Sequence, residues 1–166
     1  MGIWMRGLGD GFQNGTEGRG ERVLGKELFL FLLDLEVKRA RRYQNFLCLL
    51  FPKLKPSSKN NGGGFQICYQ TLVDLLIDEI RETDLLGSLG ENRLTILLPY
   101  ADALAGGRAK KRFEDALKYY DFNGKGFEVM IDQICFPLNG TDTPDLIKKS
   151  LRNLGIQHQL ILGNKE

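Results

Sequence analysis

The chain has 166 residues, 42% of them apolar and 27% charged, enough for one domain with a sizeable core and too apolar for wholesale disorder. Its 23 basic and 21 acidic residues leave a net charge of only +2, which argues against a nucleic-acid partner held by bulk charge and leaves any binding to local patches. Residues 1–25 begin "MGIWMRGLGDGFQNGTEGRG", glycine-rich and without periodicity, and read as a flexible arm ahead of a single domain at 26–166. The arm lacks the apolar core and cleavage pattern of a signal peptide.

"KELFLFLLDLEVKRARRY" at 26–43 has good helix formers and no proline or glycine, so it predicts a helix. Its apolar run "LFLFLL" at 28–33 is too short to cross a bilayer, and no transmembrane segment is expected. "FLCLLF" at 46–51 has the pattern of a strand covered on both faces, and "PKLKPSSKNNGGG" at 52–64 predicts a loop. Tyr69, Leu72, Val73, Leu76, Ile77 and Ile80 then recur at helical spacing, with the helix ending near Arg81. "RETDLLGSLGENRLTILLP" at 81–99 reads as a β-hairpin with arms around Leu85 to Leu89 and Leu94 to Leu98. Residues 101–120 predict an amphipathic helix despite Gly106 and Gly107, and 127–136 a strand with Val129, Ile131 and Gln133 on one face. "TDTPDLIKKSLRNLG" carries a cap, a first-turn proline and a closing glycine, and "IQHQLIL" at 156–162 reads as an edge strand. The order α-β-α-β-β-α-β-α-β predicts an α+β fold with one mixed sheet. Cys48, Cys68 and Cys135 match neither a zinc spacing nor a disulfide framework and read as reduced core thiols of a cytoplasmic protein.

Three stretches resemble the GGDEF family, the diguanylate cyclase domain that joins two GTP into cyclic di-GMP. "EVKRARRYQNFLCLLF" looks like its first helix and strand, "RETDLLGSLGENRLTILLP" like its signature hairpin, and "FPLNGTDTPDLIKKSLRNL" like its return strand and last helix. The resemblance covers roughly residues 27–155 and implies a nucleotidyl-cyclase-like palm, a ferredoxin-like, mainly antiparallel sheet flanked by helices.

Departures from that pattern bear on function. In the signature Gly-Gly-Asp/Glu-Glu-Phe only Gly90 matches, because Glu91, Asn92, Arg93 and Leu94 occupy the other positions. The family's other metal-holding acid falls on Lys53, and no Asp or Glu stands between Glu36 and Asp74. Metal-assisted attack on a triphosphate needs carboxylates to hold Mg²⁺, and a lysine repels the ion. The guanine-recognising Asn and Asp have no match near Phe65 and Gln66, and the last helix has Ser150 and Leu151 where the family has Ala-Asp. The resemblance therefore implies an inactive enzyme with no catalytic or metal-binding residues, no cofactor and no Mg²⁺ requirement.

One constellation remains. Arg81 and Asp84 match the family's Arg-x-x-Asp inhibitory site for cyclic di-GMP, and Arg112 falls where some members place a second arginine. Two guanidinium forks can grip phosphates and guanine edges while a carboxylate accepts the guanine N1 and N2 donors. The competing explanation is helix-end chemistry: Arg81 favours the helix dipole, Asp84 ties the following turn, and Arg112 is a solvated helix residue. The expected roles are a cyclic di-GMP receptor or, alternatively, a nucleotide-independent module that dimerises or docks a protein partner through the first helix. The basic run "KRARR" at 38–42 reads as one solvated helix face, "GGG" at 62–64 as a hinge rather than a phosphate loop, and His158 as a surface residue.

Overall fold

The computed structural model describes residues 22–153; the arm at 1–21, the expected strand at 156–162 and His158 lie outside the described residues. The elements are β1 (Val23–Leu24), α1 (Lys26–Tyr43), β2 (Leu47–Pro56), α2 (Phe65–Glu79), β3 (Leu85–Ser88), β4 (Leu94–Pro99), α3 (Ala103–Leu117), β5 (Phe127–Phe136) and α4 (Thr143–Asn153). One five-stranded sheet runs β1-β3-β4-β2-β5. Its pairings are antiparallel except β1 with β3, which is parallel. This is the α+β, mainly antiparallel architecture that the resemblance implies.

Strand β2 lies at the centre and explains its own continuous apolar sequence. Cys48 and Leu50 face a cluster with Leu72 and Leu76 of α2 and Phe113 of α3. Leu47, Leu49 and Phe51 face the opposite cluster, with Phe29 and Leu33 of α1 and Leu146 of α4. Successive side chains of a strand point to opposite faces, so a strand sandwiched between two helix layers must be apolar at every position.

Two boundaries differ from the sequence reading. The expected loop at 52–64 begins later, because β2 continues through Lys53 to Pro56 and pairs along its whole length with β5. Pairing with β4 stops at Leu50 opposite Ile96. Beyond Leu50 the strand has a neighbour on one side only, the setting in which a proline without an N–H is tolerated. Val23 and Leu24, assigned to the arm from sequence, instead pair with Leu86 and Gly87.

Two glycines are required by close approach. A Cβ on Gly87 would fall 2.2 Å from the Phe29 ring, so β3 lets α1 seat its buried phenylalanine directly on the backbone. A Cβ on Gly106 would fall 2.6 Å from both Cys48 Sγ and Gln133 Nε2, so α3 crosses the sheet at contact distance. Gly106→Ala, which at an open helical site would gain up to about 1 kcal/mol, is expected here to cost about 1–3 kcal/mol by overpacking, read as a lower urea midpoint.

The expectation of three reduced thiols is corrected. Cys48 and Cys135 stand directly opposite each other in the β2–β5 register and form a disulfide, with Cα atoms 4.1 Å apart; Cys68 alone is free, and buried. The 87-residue separation carries no sign of this in the sequence, because only strand register brings the two together. The inference of a reducing compartment rested on free thiols and loses that support. No helix among the described residues is long and apolar enough to cross a membrane.

Candidate functional site

A turn joining α2 to β3 carries Arg81 and Asp84. The Asp84 N–H donates to the Arg81 carbonyl at 3.0 Å, and the Arg81 N–H donates to Asp84 Oδ2 at 3.2 Å. The aspartate therefore ties the turn, as helix-end chemistry requires. It also does more. Arg112 reaches across from α3 and places Nη2 3.7 Å from Asp84 Oδ2 and Nε 3.9 Å from Glu79 Oε2. Both nitrogens are buried without a hydrogen-bond partner: the charges attract, yet neither distance makes a hydrogen bond. All three residues singled out in the sequence thus meet in one cleft of ≈ 200 Å³, which Thr83, Tyr100 and Ala105 also line. Glu79 and Tyr100 escaped the sequence reading, since neither belongs to a motif and only the fold brings them beside Arg112.

The Asp84 side chain is 8% exposed. Burial pushes its carboxyl above the usual carboxylate range, against the opposing pull of the Arg81 backbone N–H and the charges of Arg112 and Arg81. Because the folded value lies above the unfolded one, the native state binds the proton more readily, and stability falls as pH rises through the folded pKa. Asp84→Asn removes that cost. With Glu79 still facing Arg112, the variant is expected to match or exceed the wild-type thermal midpoint near neutral pH, with the difference shrinking toward about pH 4, while exchanging one of the two acceptor oxygens that guanine N1–H and N2–H would need for an amide donor.

The hairpin tip is a separate place. Glu91 and Asn92 are exposed and Arg93 is half-buried. Asn92 adopts the left-handed region at φ 55°, which asparagine tolerates. Arg93 closes the turn, its N–H donating to the Gly90 carbonyl at 3.3 Å and its carbonyl accepting from Leu89 N–H at 2.9 Å. On the strand, Lys53 is 7% exposed and its ammonium is ion-paired with Asp132 of β5. These residues do not fit a divalent cation: one position holds a buried, already neutralised ammonium and the other a guanidinium. Among the described residues no three His, Cys, Asp or Glu side chains gather where they could hold a metal.

The basic run on α1 is largely engaged within the domain. Lys38 pairs with Asp34 at 2.6 Å and Arg39 with Glu36 at 2.5 Å, and Arg41 donates to the Thr141 carbonyl at 2.7 Å. Asp34 in turn accepts from Thr143 Oγ1 at 3.0 Å, so this charge cluster fastens α1 to α4.

The sheet order, with its helix layers and hairpin, defines a cyclase-like palm, and the fold is that of GGDEF domains. The GGDEF domain of FimX from Pseudomonas aeruginosa superposes with a TM-score of 0.64 at 15% identity, over 85% of this chain and 91% of that one. The active GGEEF domain of a diguanylate cyclase from Vibrio cholerae gives 0.64 at 12% identity, over 78% and 87%. A DGC protein from Thermotoga maritima gives 0.62 at 19% identity, over 77% and 92%. No family model and no curated protein sequence matches the chain.

Proposed function

We propose that the domain is a catalytically silent receptor for cyclic di-GMP. The observation that carries this reading is the convergence of Arg81, Asp84 and Arg112, from two separate elements, on one cleft. A carboxylate flanked by guanidinium groups can accept from a guanine edge while the cations meet phosphate. Loss of cyclase activity is supported by the Lys53–Asp132 pair and by Arg93 at the hairpin, where the family's chemistry needs acids. No Mg²⁺ is required for the binding proposed. Reception of this ligand places the domain in the cytoplasm; the Cys48–Cys135 bond is the feature that pulls the other way. The test is calorimetric titration with cyclic di-GMP, with GTP plus Mg²⁺ as the control ligand. Micromolar or tighter binding of the dinucleotide alone supports the receptor; absence of heat with both ligands overturns it.

A second reading has its own observation. Helix α1 buries Phe29, Leu33, Val37 and Ala40, yet its outer side presents Leu28, Phe31 and Leu35, with Phe31 66% exposed. A helix apolar on two sides supports a docking or dimerisation role. Truncating residues 27–33 is a poor test, since it deletes the core residues Phe29 and Leu33. Phe31→Glu is the cleaner variant. It is expected to leave the thermal midpoint within a few degrees and to shift the sedimentation coefficient to that of a monomer if this face joins two copies.

A further inference from the structure

We propose that Tyr100 is the base-stacking wall of the cleft, holding a purine face against its ring while Asp84 and the two arginines read the edge and the phosphate. The proposal rests on the receptor reading and adds a residue to it. Tyr100 lies between the end of β4 and Asp102, whose carboxylate caps α3 by accepting from Ala105 N–H at 2.8 Å. Its backbone adopts the left-handed region at φ 57°, which a tyrosine rarely takes. The residue is 66% exposed, so burial gives little reason for an aromatic side chain there.

Position supplies a reason. Tyr100 borders the same cleft as Arg81, Asp84 and Arg112. The floor between them is lined by Ala101, just ahead of α3, and by Ala105 and Ala109, one turn apart on α3, small side chains that leave room for a flat group. At the charged end, Asp84 is 8% exposed and two Arg112 nitrogens are buried without hydrogen bonds. A slot with an aromatic wall, a small-residue floor and a carboxylate at one end suits a nucleobase: stacking supplies affinity without selecting the base, and the carboxylate selects one that offers N–H donors. Tyr100 also borders the hollow beside Arg39 and Phe46, and a purely structural role there would appear in stability rather than in binding.

Calorimetric titration with cyclic di-GMP and thermal melts on four proteins decide the matter. Tyr100→Ala is expected to weaken binding roughly ten- to a hundredfold, and Tyr100→Phe to stay within about twofold, because the ring rather than the hydroxyl stacks. Tyr100→Gly relaxes the positive φ, so it is expected to hold or raise the thermal midpoint while losing the same affinity, a combination that a structural role would not give. If wild type binds and Tyr100→Ala binds equally well, the stacking role is wrong and the receptor stands. If wild type does not bind, both fall together.

Discussion

Arg81→Ala is expected to weaken cyclic di-GMP binding ten- to a hundredfold, about 1.5–3 kcal/mol for charged hydrogen bonds lost to the ligand, with the thermal midpoint unchanged. The separation of the two readouts follows from how the turn is built. Both hydrogen bonds that shape it use Arg81 main-chain atoms, the carbonyl taking the Asp84 N–H and the N–H reaching Asp84 Oδ2. Alanine keeps them. The side chain that is removed is exposed, so its loss opens no cavity and strands no buried charge. Arg112→Ala is a poorer probe of the same cleft, since it would leave Glu79 and Asp84 without the cation that faces them both and would mix folding with binding. Equal binding by wild type and Arg81→Ala would reduce Arg81 to a helix-end residue and place the ligand elsewhere than this cleft.

Much of this site was legible because its signal is local. Arg-x-x-Asp at the end of an apolar helical stripe defines a turn whose geometry follows from neighbouring residues, and the structure builds that turn. Arg112 was reachable only through the resemblance, as its pairing with Asp84 depends on how α3 crosses the sheet. What sequence hid was information held in register. The Cys48–Cys135 bond and the Lys53–Asp132 pair both join β2 to β5, strands about eighty residues apart in the chain, and neither cysteine nor lysine marks its partner by spacing. The prolines of β2 misled for a related reason: they break a strand only where both edges are paired, and the absence of β4 beyond Leu50 is a property of the sheet. Gly106 likewise reads as a cost to helix α3 until the contact with Cys48 supplies its reason.

Lys53→Asp, the substitution that would place an acid where the GGDEF resemblance expects one, is expected to destabilise the domain by about 3–5 kcal/mol and to confer no GTP turnover. Lys53 is 7% exposed, and the variant would set a second carboxylate beside Asp132, whose present partner is the lysine ammonium. Two carboxylates on neighbouring positions of one buried sheet face resist both staying ionised without a cation between them. Mg²⁺ is thus the discriminating reagent: a cation held by Asp132 and the new acid would raise the urea midpoint of the variant, and GTP turnover would follow if the hairpin could contribute. Neither is expected, because Arg93 still presents a guanidinium where the second acid is needed and repels the same ion. Lys53→Met serves as the companion. It keeps the apolar stem and leaves Asp132, which is 28% exposed, partly open to water, so it should cost less than the aspartate variant. If Lys53→Asp in Mg²⁺ recovered the wild-type midpoint, the inner carboxylate pair would be a working cation site on its own. The proposed catalytic silence would then rest on the hairpin tip alone rather than on both the strand and the hairpin.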